Sequence, residues 1–350
     1  MLYRVYSGIE NIDSSQWDGF LSSHSKNTVF QSSDFFHLLE KNANYEPIII
    51  YVKNNNEKIV GILLALKINE YLDYRKRISS RVVIYGGPII DPQEKGDALI
   101  VDVVLKELIR KVKKVSLFIE FRNFHDIPGY KDIFLRNGFT YQERLNQIIT
   151  ITNQKNIEDN FSKSKLRQIK KSISAGAEII QATNEEEIVE LYKILEDLYR
   201  KKVRKPLPSL TFFKEFLRAS INNKVGIILL AKYKEKIIGG IVCPITQDRV
   251  MYEWYICGLD KKYREIHPSV LITWGALSYA VTHEIHLFDF MGLGIPNKDY
   301  GVRQFKIQFG GETVNFGRFF RVNNKPLFQI IKLGYYFYAL MRKIQYNTGK

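Results

Sequence analysis

The sequence predicts an α/β protein whose 350 residues form two similar halves. Residues 47–68 contain two β-rich runs joined by a polar turn at 54–56, which is typical of a β-hairpin. Residues 225–245 follow the same pattern, and the matching pieces NEKIVGILL and KEKIIGGIV lie at the same place in each hairpin. Each hairpin is followed by further strands and an amphipathic helix, so we interpret the chain as internally duplicated.

A second correspondence lies near the end of each half. FLRNGF at residues 134–139 precedes a strand in the first half, and FKIQFGG at residues 305–311 precedes one in the second. Hairpins also recur by chance in mixed domains, but two matches in the same order favour duplication. Because 350 residues exceed what one core of typical size supports, we expect one domain at residues 1–155 and another at residues 156–350.

A basic helix is expected between the halves, beginning near Ile157 and continuing towards Gly176. At helical spacing its charged and apolar residues separate onto two faces, so that the helix can dock by one side and show the other to an anion. A second basic run, YRKKVRK at residues 199–205, closes the helix that is expected to start after Asn184. The charged face of the first helix holds Lys163, Arg167, Lys170 and Lys171, and its apolar face holds Leu166, Ile169 and Ile173.

The composition is that of a globular protein with a strong positive charge. Hydrophobic residues make up 45% of the chain and charged residues 25%, which argues against disorder, and the formal net charge is +15. This excess favours a polyanionic partner such as RNA, a nucleotide-linked substrate or an anionic membrane surface, although a lysine-rich proteome would also produce it. We expect no DNA partner.

Cysteine usage and the absence of targeting patterns favour a cytoplasmic location. Cys243 and Cys257 lie in apolar, strand-like runs, so we expect two buried reduced thiols and no disulfide framework. The first residues lack the pattern of a signal peptide, and no run approaches the ~18 apolar residues of a spanning helix. Residues 327–344 are expected to form a closing helix packed on the second domain. A peripheral contact with the inner face of the membrane is the alternative.

Motifs in both halves occur in a characteristic order. The second half contains KSKLRQIKKSISAGAEI, YRKKVRKPLPSLTFF, YREIHPSVLITWGAL, FDFMGLG and FKIQFGGE, and the first half contains FQSSDFF and YGGPII. Together they make nearly the whole chain resemble FemA/FemB/FemX-type peptidoglycan bridge aminoacyltransferases. The related BioF2-like and CelD-like acyltransferases share the second-half pattern.

This resemblance implies two tandem GNAT-like domains of the α/β (α+β) class, each a mixed, twisted sheet flanked by helices. The duplication inferred from the hairpins agrees with that fold. No sustained heptad pattern exceeds ordinary helix length, so we expect no long coiled-coil insertion of the kind found in some members.

The acyl donor is the first functional question that the motifs address. An ordinary GNAT acetyltransferase holds the pyrophosphate of CoA at a helix N-terminus, where glycines let the main chain approach the phosphates. The corresponding stretch, YREIHPSVLI at residues 263–272, contains Arg264 but no glycine, and Pro268 removes a backbone donor. The resemblance therefore implies aminoacyl-tRNA as the donor substrate, with acyl-CoA as the alternative and no tightly bound cofactor. We interpret His267 as a residue that precedes the helix rather than as a general base.

Residues 287–314 join an apolar strand, a Gly-containing loop and a short basic helix. Arg303 and Lys306 are three residues apart, so they share one helical face and can hold an anion together. By the resemblance, Lys306 does the electrostatic work at the ester or the RNA terminus, and Arg303 assists through a phosphate contact. Taken alone, the pattern also fits an amphipathic helix with a solvated Lys306.

Two carboxylates are candidate proton acceptors for the attacking amine. Asp289 can take the proton if an apolar wall raises its pKa, or it can cap the following turn. Glu253 is the alternative acceptor, and Tyr255 in the same YEWY strand is a candidate substrate contact. Strand alternation is expected to place Tyr252 and Trp254 on the opposite side from these two residues.

The remaining candidates form a basic surface. Lys163, Arg167, Tyr199 and Arg200 are candidate ligands of a sugar-nucleotide or lipid-linked pyrophosphate, since Arg can grip phosphate oxygens in pairs, and a solvated surface is the alternative. The histidines have no carboxylate or Cys companions at ligand spacing, so we expect no metal. The chain has neither a GxSxG elbow nor an evident Cys–His pair, which favours direct transfer without a covalent intermediate.

Three functions follow from these observations. The leading one is an aminoacyltransferase that uses charged tRNA to form an amide bond on an amine of a nucleotide- or lipid-linked cell-wall precursor. The second is an acyl-CoA-dependent N-acyltransferase acting on an amino sugar or surface polysaccharide precursor. The third is a non-catalytic, RNA-binding GNAT-like protein.

Overall fold

The strands of this protein form two mixed sheets. The computed structural model describes residues 3–10, 12–70, 79–203, 205–222, 224–247, 249–331 and 333. The strands within these residues are β1 (Tyr3–Ser7), β2 (Tyr45–Asn54), β3 (Ile59–Ile68), β4 (Arg81–Tyr85), β5 (Ile89–Ile90), β6 (Phe118–Arg122), β7 (Thr140–Gln142), β8 (Asn146–Thr150), β9 (Glu178–Gln181), β10 (Gly226–Tyr233), β11 (Lys236–Thr246), β12 (Val250–Tyr252), β13 (Tyr255–Gly258), β14 (Leu287–Asp289), β15 (Glu312–Val314) and β16 (Arg318–Val322).

The helices lie on the faces of these sheets. They are α1 (Ser14–Ser22), α2 (Ser33–Glu40), α3 (Asp97–Val112), α4 (Lys131–Arg136), α5 (Gln154–Asp159), α6 (Lys163–Ser174), α7 (Glu185–Leu198), α8 (Leu210–Ile221), α9 (Pro268–Thr282) and α10 (Gly301–Lys306). Short 3-10 turns at Val29–Gln31, Pro128–Tyr130 and Ile307–Phe309 and a π turn at Tyr199–Val203 connect them. At 16 residues, α3 is the longest of these helices, and none of them is long and apolar enough to cross a membrane.

Both predicted hairpins are present. Strands β2 and β3 pair antiparallel from Tyr45↔Ile68 to Lys53↔Ile59, and strands β10 and β11 pair antiparallel from Gly226↔Pro244 to Tyr233↔Lys236. Strands β3, β10 and β11 are mostly buried, as their near-continuous apolar sequences indicate, whereas β2 is buried only at its central residues 49–52.

The two sheets have the same strand plan. The first runs β1-β2-β3-β4-β6-β16-β7, with β5 also paired to β3, and the second runs β9-β10-β11-β12-β14-β8-β15, with β13 also paired to β11. In each sheet one central pair is parallel, β4 with β6 and β12 with β14, while the remaining pairs are antiparallel. The predicted duplication and the predicted mixed sheets are therefore confirmed.

The correspondence extends to single hydrogen bonds. Gly86 N–H donates to the Arg122 carbonyl at 2.9 Å just after β4, and Glu253 N–H donates to the Asp289 carbonyl at 2.9 Å just after β12. In both sheets the strand is interrupted at this point and resumes against a different part of its neighbour. Each interruption opens the sheet beside its parallel pair.

The two sheets exchange one strand each. Strand β8, from residues 146–150, lies between β14 and β15 in the second sheet, and β16, from residues 318–322, lies between β6 and β7 in the first. Each sheet is thus completed by a segment from the other side of the chain. The boundary near residue 155 stays a prediction, and the chain crosses between the sheets on both sides of it.

Three hydrophobic cores follow from this arrangement. One lies between the first sheet and helices α3 and α4, and another lies between the second sheet and helices α5, α6 and α9. The third lies between the two halves, where Phe30 of the first contacts Trp254 of the second with ring centroids 5.3 Å apart. The halves are therefore joined by a shared apolar core as well as by the exchanged strands.

The prediction of one basic helix between residue 157 and residue 176 is wrong in one respect. It is two helices, α5 and α6, because the Ser162 side chain accepts a hydrogen bond from Lys165 N–H and starts a new helix. Ile169 faces the core as expected, but Ile173 is exposed and Lys165 is buried. The helix predicted after Asn184 is confirmed, with a capping box between Asn184 and Glu187.

Only the start of the predicted closing helix lies within the described residues. The ring of Phe328 packs 6.2 Å from Phe118 and 5.8 Å from Phe320, and both of these residues belong to the first sheet. Where it is described, this segment therefore packs on the first sheet and not, as predicted, on the second domain. Of residues 332–350, only 333 is described, so the membrane contact considered for this stretch falls mainly outside the described residues.

Candidate active site

The interruption after β12 opens into a cavity of about 180 Å³ between the two sheets. Glu253, Trp254 and Lys306 line it from the second half, together with the loop after β14. Arg122 and Arg318 line it from the first sheet. A larger cavity of about 550 Å³ elsewhere between the halves contains none of the predicted site residues.

Lys306 is buried in this cavity wall. Only 7% of the residue is exposed, so the alternative of a solvated lysine is wrong. Its ammonium donates to the Phe290 carbonyl at 2.6 Å and approaches the Gly292 carbonyl at 3.4 Å. It also forms an ion pair with Glu253 Oε1 at 2.9 Å, which gives the buried cation a buried counter-charge.

Glu253 is the partner that completes this pair. The residue is 4% exposed, and its Oε2 has no hydrogen-bond partner among the described residues. Burial raises the pKa of the Glu253 carboxyl, and the neighbouring Lys306 ammonium partly opposes that rise. This carboxylate holds one oxygen in an ion pair, and its second oxygen is buried without a hydrogen-bond partner among the described residues.

Asp289 lies at the end of β14, where it ties the following turn to the sheet. Its Oδ1 accepts a hydrogen bond from Met291 N–H at 2.6 Å, and both of its oxygens accept from Asn146 Nδ2 at 3.3 Å. Burial raises the pKa of Asp289 to about 6, against the lowering effects of these donors and of Lys306. The capping geometry is therefore present, and the role of Asp289 as a proton acceptor stays a prediction.

Arg303 binds the loop that follows β14. Its Nε donates to the Leu293 carbonyl at 3.0 Å, and its Nη2 donates to the Ile295 carbonyl. Arg303 and Lys306 thus share a face of α10 as expected, but both bind carbonyls of the loop that follows β14. The predicted phosphate contact of Arg303 stays a prediction.

The expected strand alternation at residues 252–255 is wrong. Strand β12 ends at Tyr252 and β13 begins at Tyr255, so the backbone between them does not continue the pleat. As a result Trp254 lines the same cavity as Glu253, and its ring lies 5.0 Å from that of Tyr255. Tyr255 in turn approaches Tyr199 with ring centroids 6.2 Å apart, and burial raises the pKa of both phenols.

The other predicted cations lie away from this cavity. Lys163, Arg167, Arg200 and Arg264 are exposed, and Arg200 pairs with Asp197 at 3.0 Å. None of them lines either of the two cavities. Their contacts with a pyrophosphate stay predictions.

The helix that could hold a CoA pyrophosphate has an occupied N-terminus. His267 is the N-cap residue of α9, as its position before Pro268 predicts, and its backbone is left-handed with φ 46°. Asp260 accepts hydrogen bonds from Ser269 N–H at 3.1 Å and from Ser269 Oγ at 2.5 Å. A carboxylate of the chain itself therefore lies where an anion would bind the first turn.

Four cations near the cavity were not among the predicted site residues, although Lys205 ends the basic run at residues 199–205. Arg122 and Arg318 share the Glu120 carboxylate, at 2.9 and 2.7 Å, and Arg144 lies beside them on the cavity wall. Lys205 is close enough for their like charges to lower its pKa, after the larger effect of burial. A signal for Arg122 exists, since charged residues interrupt the apolar strand SLFIEFRN as Asp289 interrupts LFDF.

Cysteine and metal chemistry are not evident in the described residues. Cys243 and Cys257 are free and buried, as predicted, and burial raises the pKa of both thiols. No group of three or more His, Cys, Asp or Glu residues is gathered closely enough there to hold a metal ion.

Comparisons with known proteins identify the class of this fold. Residues 160–306 match the family model of an acetyltransferase (GNAT) domain, which confirms the predicted transferase class for this part of the chain. FemX has a similar structure, with a TM-score of 0.68 and 14% identity over 93% of this chain and 99% of FemX. A tandem GNAT protein from the clavulanic acid biosynthesis pathway aligns with a TM-score of 0.58 and 11% identity, over 92% and 99% of the two chains.

The fold is therefore that of the tandem GNAT proteins. Within that class, the aminoacyltransferase FemA of Staphylococcus epidermidis is 27% identical over 84 residues, which are 23% of this chain and 20% of FemA. The matched segment thus spans about a fifth of that relative's length. Together these findings confirm the predicted resemblance to FemABX-like tandem GNAT proteins.

Proposed function

We propose that this protein is an aminoacyltransferase that forms an amide bond on an amine of a cell-wall precursor, with aminoacyl-tRNA as the donor. The observation that carries the proposal is the buried Glu253–Lys306 ion pair, which faces a cavity between the two sheets with one carboxylate oxygen unpartnered. The resemblance to FemA and FemX supports the reaction class, and the positive charge of the chain supports an RNA substrate.

The ion pair supplies the two groups that direct aminolysis of an ester needs. The acceptor amine attacks the ester carbonyl, so that a C–N bond forms, the C–O ester bond breaks, and the ribose hydroxyl leaves with a proton. Glu253 Oε2 would accept the proton that the amine loses, and a raised pKa suits it to that task near neutral pH. The Lys306 ammonium, whose contact with the Gly292 carbonyl is long at 3.4 Å, would turn one N–H towards the developing oxyanion.

The environment of α9 supports charged tRNA over CoA as the donor. Pro268 has no N–H to offer, and Asp260 already binds Ser269 N–H, so a pyrophosphate there would displace a carboxylate of the chain. The exposed cations Lys163 and Arg167 on α6 suit the phosphates of a polyanionic substrate.

An acyl-CoA-dependent N-acyltransferase acting on an amino sugar is the second candidate. The match of residues 160–306 to an acetyltransferase domain favours it. The two candidates share the ion pair and the acceptor amine and differ in the donor.

A single-turnover assay with one labelled donor at a time tests the proposal. Charged tRNA or acetyl-CoA is offered with the same UDP-linked muropeptide, and we expect a labelled amide from the tRNA donor alone. Lys306→Met should reduce the rate roughly 10²- to 10³-fold, and Glu253→Gln roughly 10²- to 10⁴-fold. Lys298→Met, at an exposed lysine of the preceding loop, is the matched control and should keep the wild-type rate.

The outcomes separate the candidates. Amide formation from acetyl-CoA only would replace the proposal with the second candidate. Salt-sensitive tRNA binding without transfer, unchanged in Lys306→Met, would point to a non-catalytic RNA-binding protein.

A further inference from the structure

The cavity wall that faces the Glu253–Lys306 pair is unusually cationic. Arg122 on β6, Arg318 on β16 and Arg144 just after β7 line the same 180 Å³ cavity as Lys306. Lys205, whose side chain is exposed, lies outside the cavity lining but near enough to all three for their like charges to lower its pKa. We call Arg122, Arg144, Arg318 and Lys205 the cationic cluster.

The cluster has less negative charge around it than it needs. Glu120 accepts from Arg122 at 2.9 Å and from Arg318 at 2.7 Å, and it is the one carboxylate paired with the cluster among the described residues. The Arg144 guanidinium donates to the Glu143 carbonyl and the Gln142 side chain, which are neutral groups. Four cations are therefore balanced by one carboxylate.

The pKa shifts of Arg318 and Glu120 fit a positive potential, whereas the pKa of Arg122 is raised because Tyr85 and Glu120 outweigh its burial. Burial lowers the pKa of Arg318, and the like charge of Arg122 lowers it further. Arg122 and Arg318 hold the pKa of the Glu120 carboxyl at about 2 in spite of its burial. A partly buried excess of positive charge is costly unless an anion compensates it.

A purely structural role explains only part of the cluster. Glu120 joins β6 to the exchanged strand β16, so Arg122 and Arg318 contribute to the sheet. Arg144 makes no such link, and Lys205 has no ion pair in the part of the chain that the structure describes. Arg144 adds charge to the cavity wall, and the exposed Lys205 adds charge nearby, without adding a cross-link.

The short distance to the reaction centre restricts the ligand. The cluster arginines and the Glu253–Lys306 pair line one cavity of about 180 Å³, so they face the same small space. An anion held by the cluster therefore lies close to the amine that Glu253 and Lys306 serve.

We propose that the cationic cluster binds an oxyanion of the acceptor that lies a few bonds from the acylated amine, so that the substrate class is an anion-bearing amine. This inference rests on the proposed function. The oxyanion is a carboxylate, as in a diamino acid residue whose reacting amine has a free carboxylate on the same carbon, or a phosphate, as in an amino sugar phosphate. Arginines suit both groups because a guanidinium donates to two oxygens at once.

Matched acceptors test this inference with the wild-type protein. One pair is a peptide with a diamino acid residue whose side-chain amine is next to a free carboxylate, and the same peptide with that carboxylate amidated. The other pair is glucosamine 6-phosphate and glucosamine. For the correct pair we expect kcat/KM to fall roughly 10- to 100-fold when the anion is removed, the range for hydrogen bonds to charged groups.

Substitutions in the cationic cluster should reduce the preference for the anionic acceptor over the neutral one. Arg144→Gln, which breaks no ion pair, should lower kcat/KM for the anionic acceptor about tenfold more than for the neutral acceptor. Arg136→Gln on α4, at an exposed arginine, is the matched control and should alter neither. An equal rate for both members of each pair would overturn the inference while the proposed function stands.

Oxyanion binding gives a second, independent measurement. Inorganic phosphate and pyrophosphate, at constant ionic strength, should raise the melting temperature of the wild-type protein and of Arg136→Gln, and less so of Arg144→Gln. If no amine is acylated from any donor, the proposed function fails, and this measurement alone decides whether the cluster is an oxyanion site. The absence of stabilisation would then reject that site.

Discussion

At the scale of single residues, the properties of the three candidate catalytic side chains follow from their burial. Lys306, Glu253 and Asp289 are each less than a tenth exposed, so each must have partners or a shifted pKa. The ion pair meets that requirement for Lys306 and for one oxygen of Glu253. For Asp289 the requirement is met by hydrogen bonds and by a pKa of about 6.

The shifted pKa of Asp289 predicts a pH dependence of stability. Since its pKa rises from 3.8 to about 6 on folding, the folded protein holds a proton between these values that the unfolded chain releases. The contribution of this group to stability is therefore fully present below about pH 4 and is lost as the pH rises towards 6, by about 3 kcal/mol in total. Asp289→Asn should remove that dependence.

Urea unfolding of the wild-type protein and of Asp289→Asn at several pH values measures this pH dependence. The free energy of unfolding of Asp289→Asn, relative to wild type, should increase by about 3 kcal/mol between pH 4 and pH 7. A difference that does not change with pH would show that this carboxylate ionises normally in its buried position.

Among the secondary-structure elements, α10 depends most on its surroundings. With six residues it is too short to be stable alone, and it ends on the buried Lys306. The Lys165 ammonium lies 4.2 Å from the Phe305 ring centroid and 5.5 Å from that of Phe309, which helps to hold the segment. After Phe309 the chain must turn sharply into β15.

Two glycines around α10 are predicted to respond differently to the same substitution. Gly311 has φ +84°, and a Cβ there would lie 2.3 Å from the Ile148 carbonyl oxygen on β8. Gly311→Ala should therefore cost at least about 2 kcal/mol of the free energy of unfolding. Gly301→Ala, at the open first position of α10, should be neutral or stabilise by about 0.4–1 kcal/mol.

Chemical denaturation of Gly311→Ala, Gly301→Ala and the wild-type protein measures the change in the free energy of unfolding. Gly301→Ala also controls for the general effect of an added methyl group in this segment. Similar effects of the two changes would contradict the close approach of the turn to β8.

At the scale of the whole molecule, the exchanged strands make the two halves interdependent. Strand β16 pairs with β6 over five residue pairs and with β7 over three, so the first sheet is divided without it. The shared aromatic core adds a second connection between the halves. We expect the chain to unfold in one cooperative transition.

A fragment of residues 1–155 should therefore not form the native first sheet. It lacks β16, which leaves the facing edges of β6 and β7 unpaired. Amide dispersion in NMR spectra and circular dichroism measure its folding. The control is residues 1–145 joined through a glycine–serine linker to residues 315–326, which restores β16 and should fold better.

The opposite result would be informative. A well-dispersed spectrum from residues 1–155 alone would show that the first half is an independent unit and that the exchange of strands contributes little to its stability.

The sequence alone, through its local patterns and the order of its motifs, determined the main secondary-structure elements, the duplication and the family resemblance. The apolar hairpins, the capped helix after Asn184, the duplication and the FemABX-like resemblance each depend on residues close together in the chain, where hydrogen bonding and side-chain period act. Lys306 could be named as a candidate through the resemblance, and Asp289 and Glu253 because they are carboxylates in strand segments rich in apolar or aromatic residues.

Tertiary structure alone decided how those residues meet. The Glu253–Lys306 pair joins positions 53 residues apart, and the cluster of Arg122, Arg144 and Arg318 assembles only because β16 crosses into the first sheet. The break after β12 likewise moved Trp254 into the cavity against the expected alternation. Such contacts arise from non-local strand pairing and from the packing of two sheets, which leave no periodic signal in the sequence.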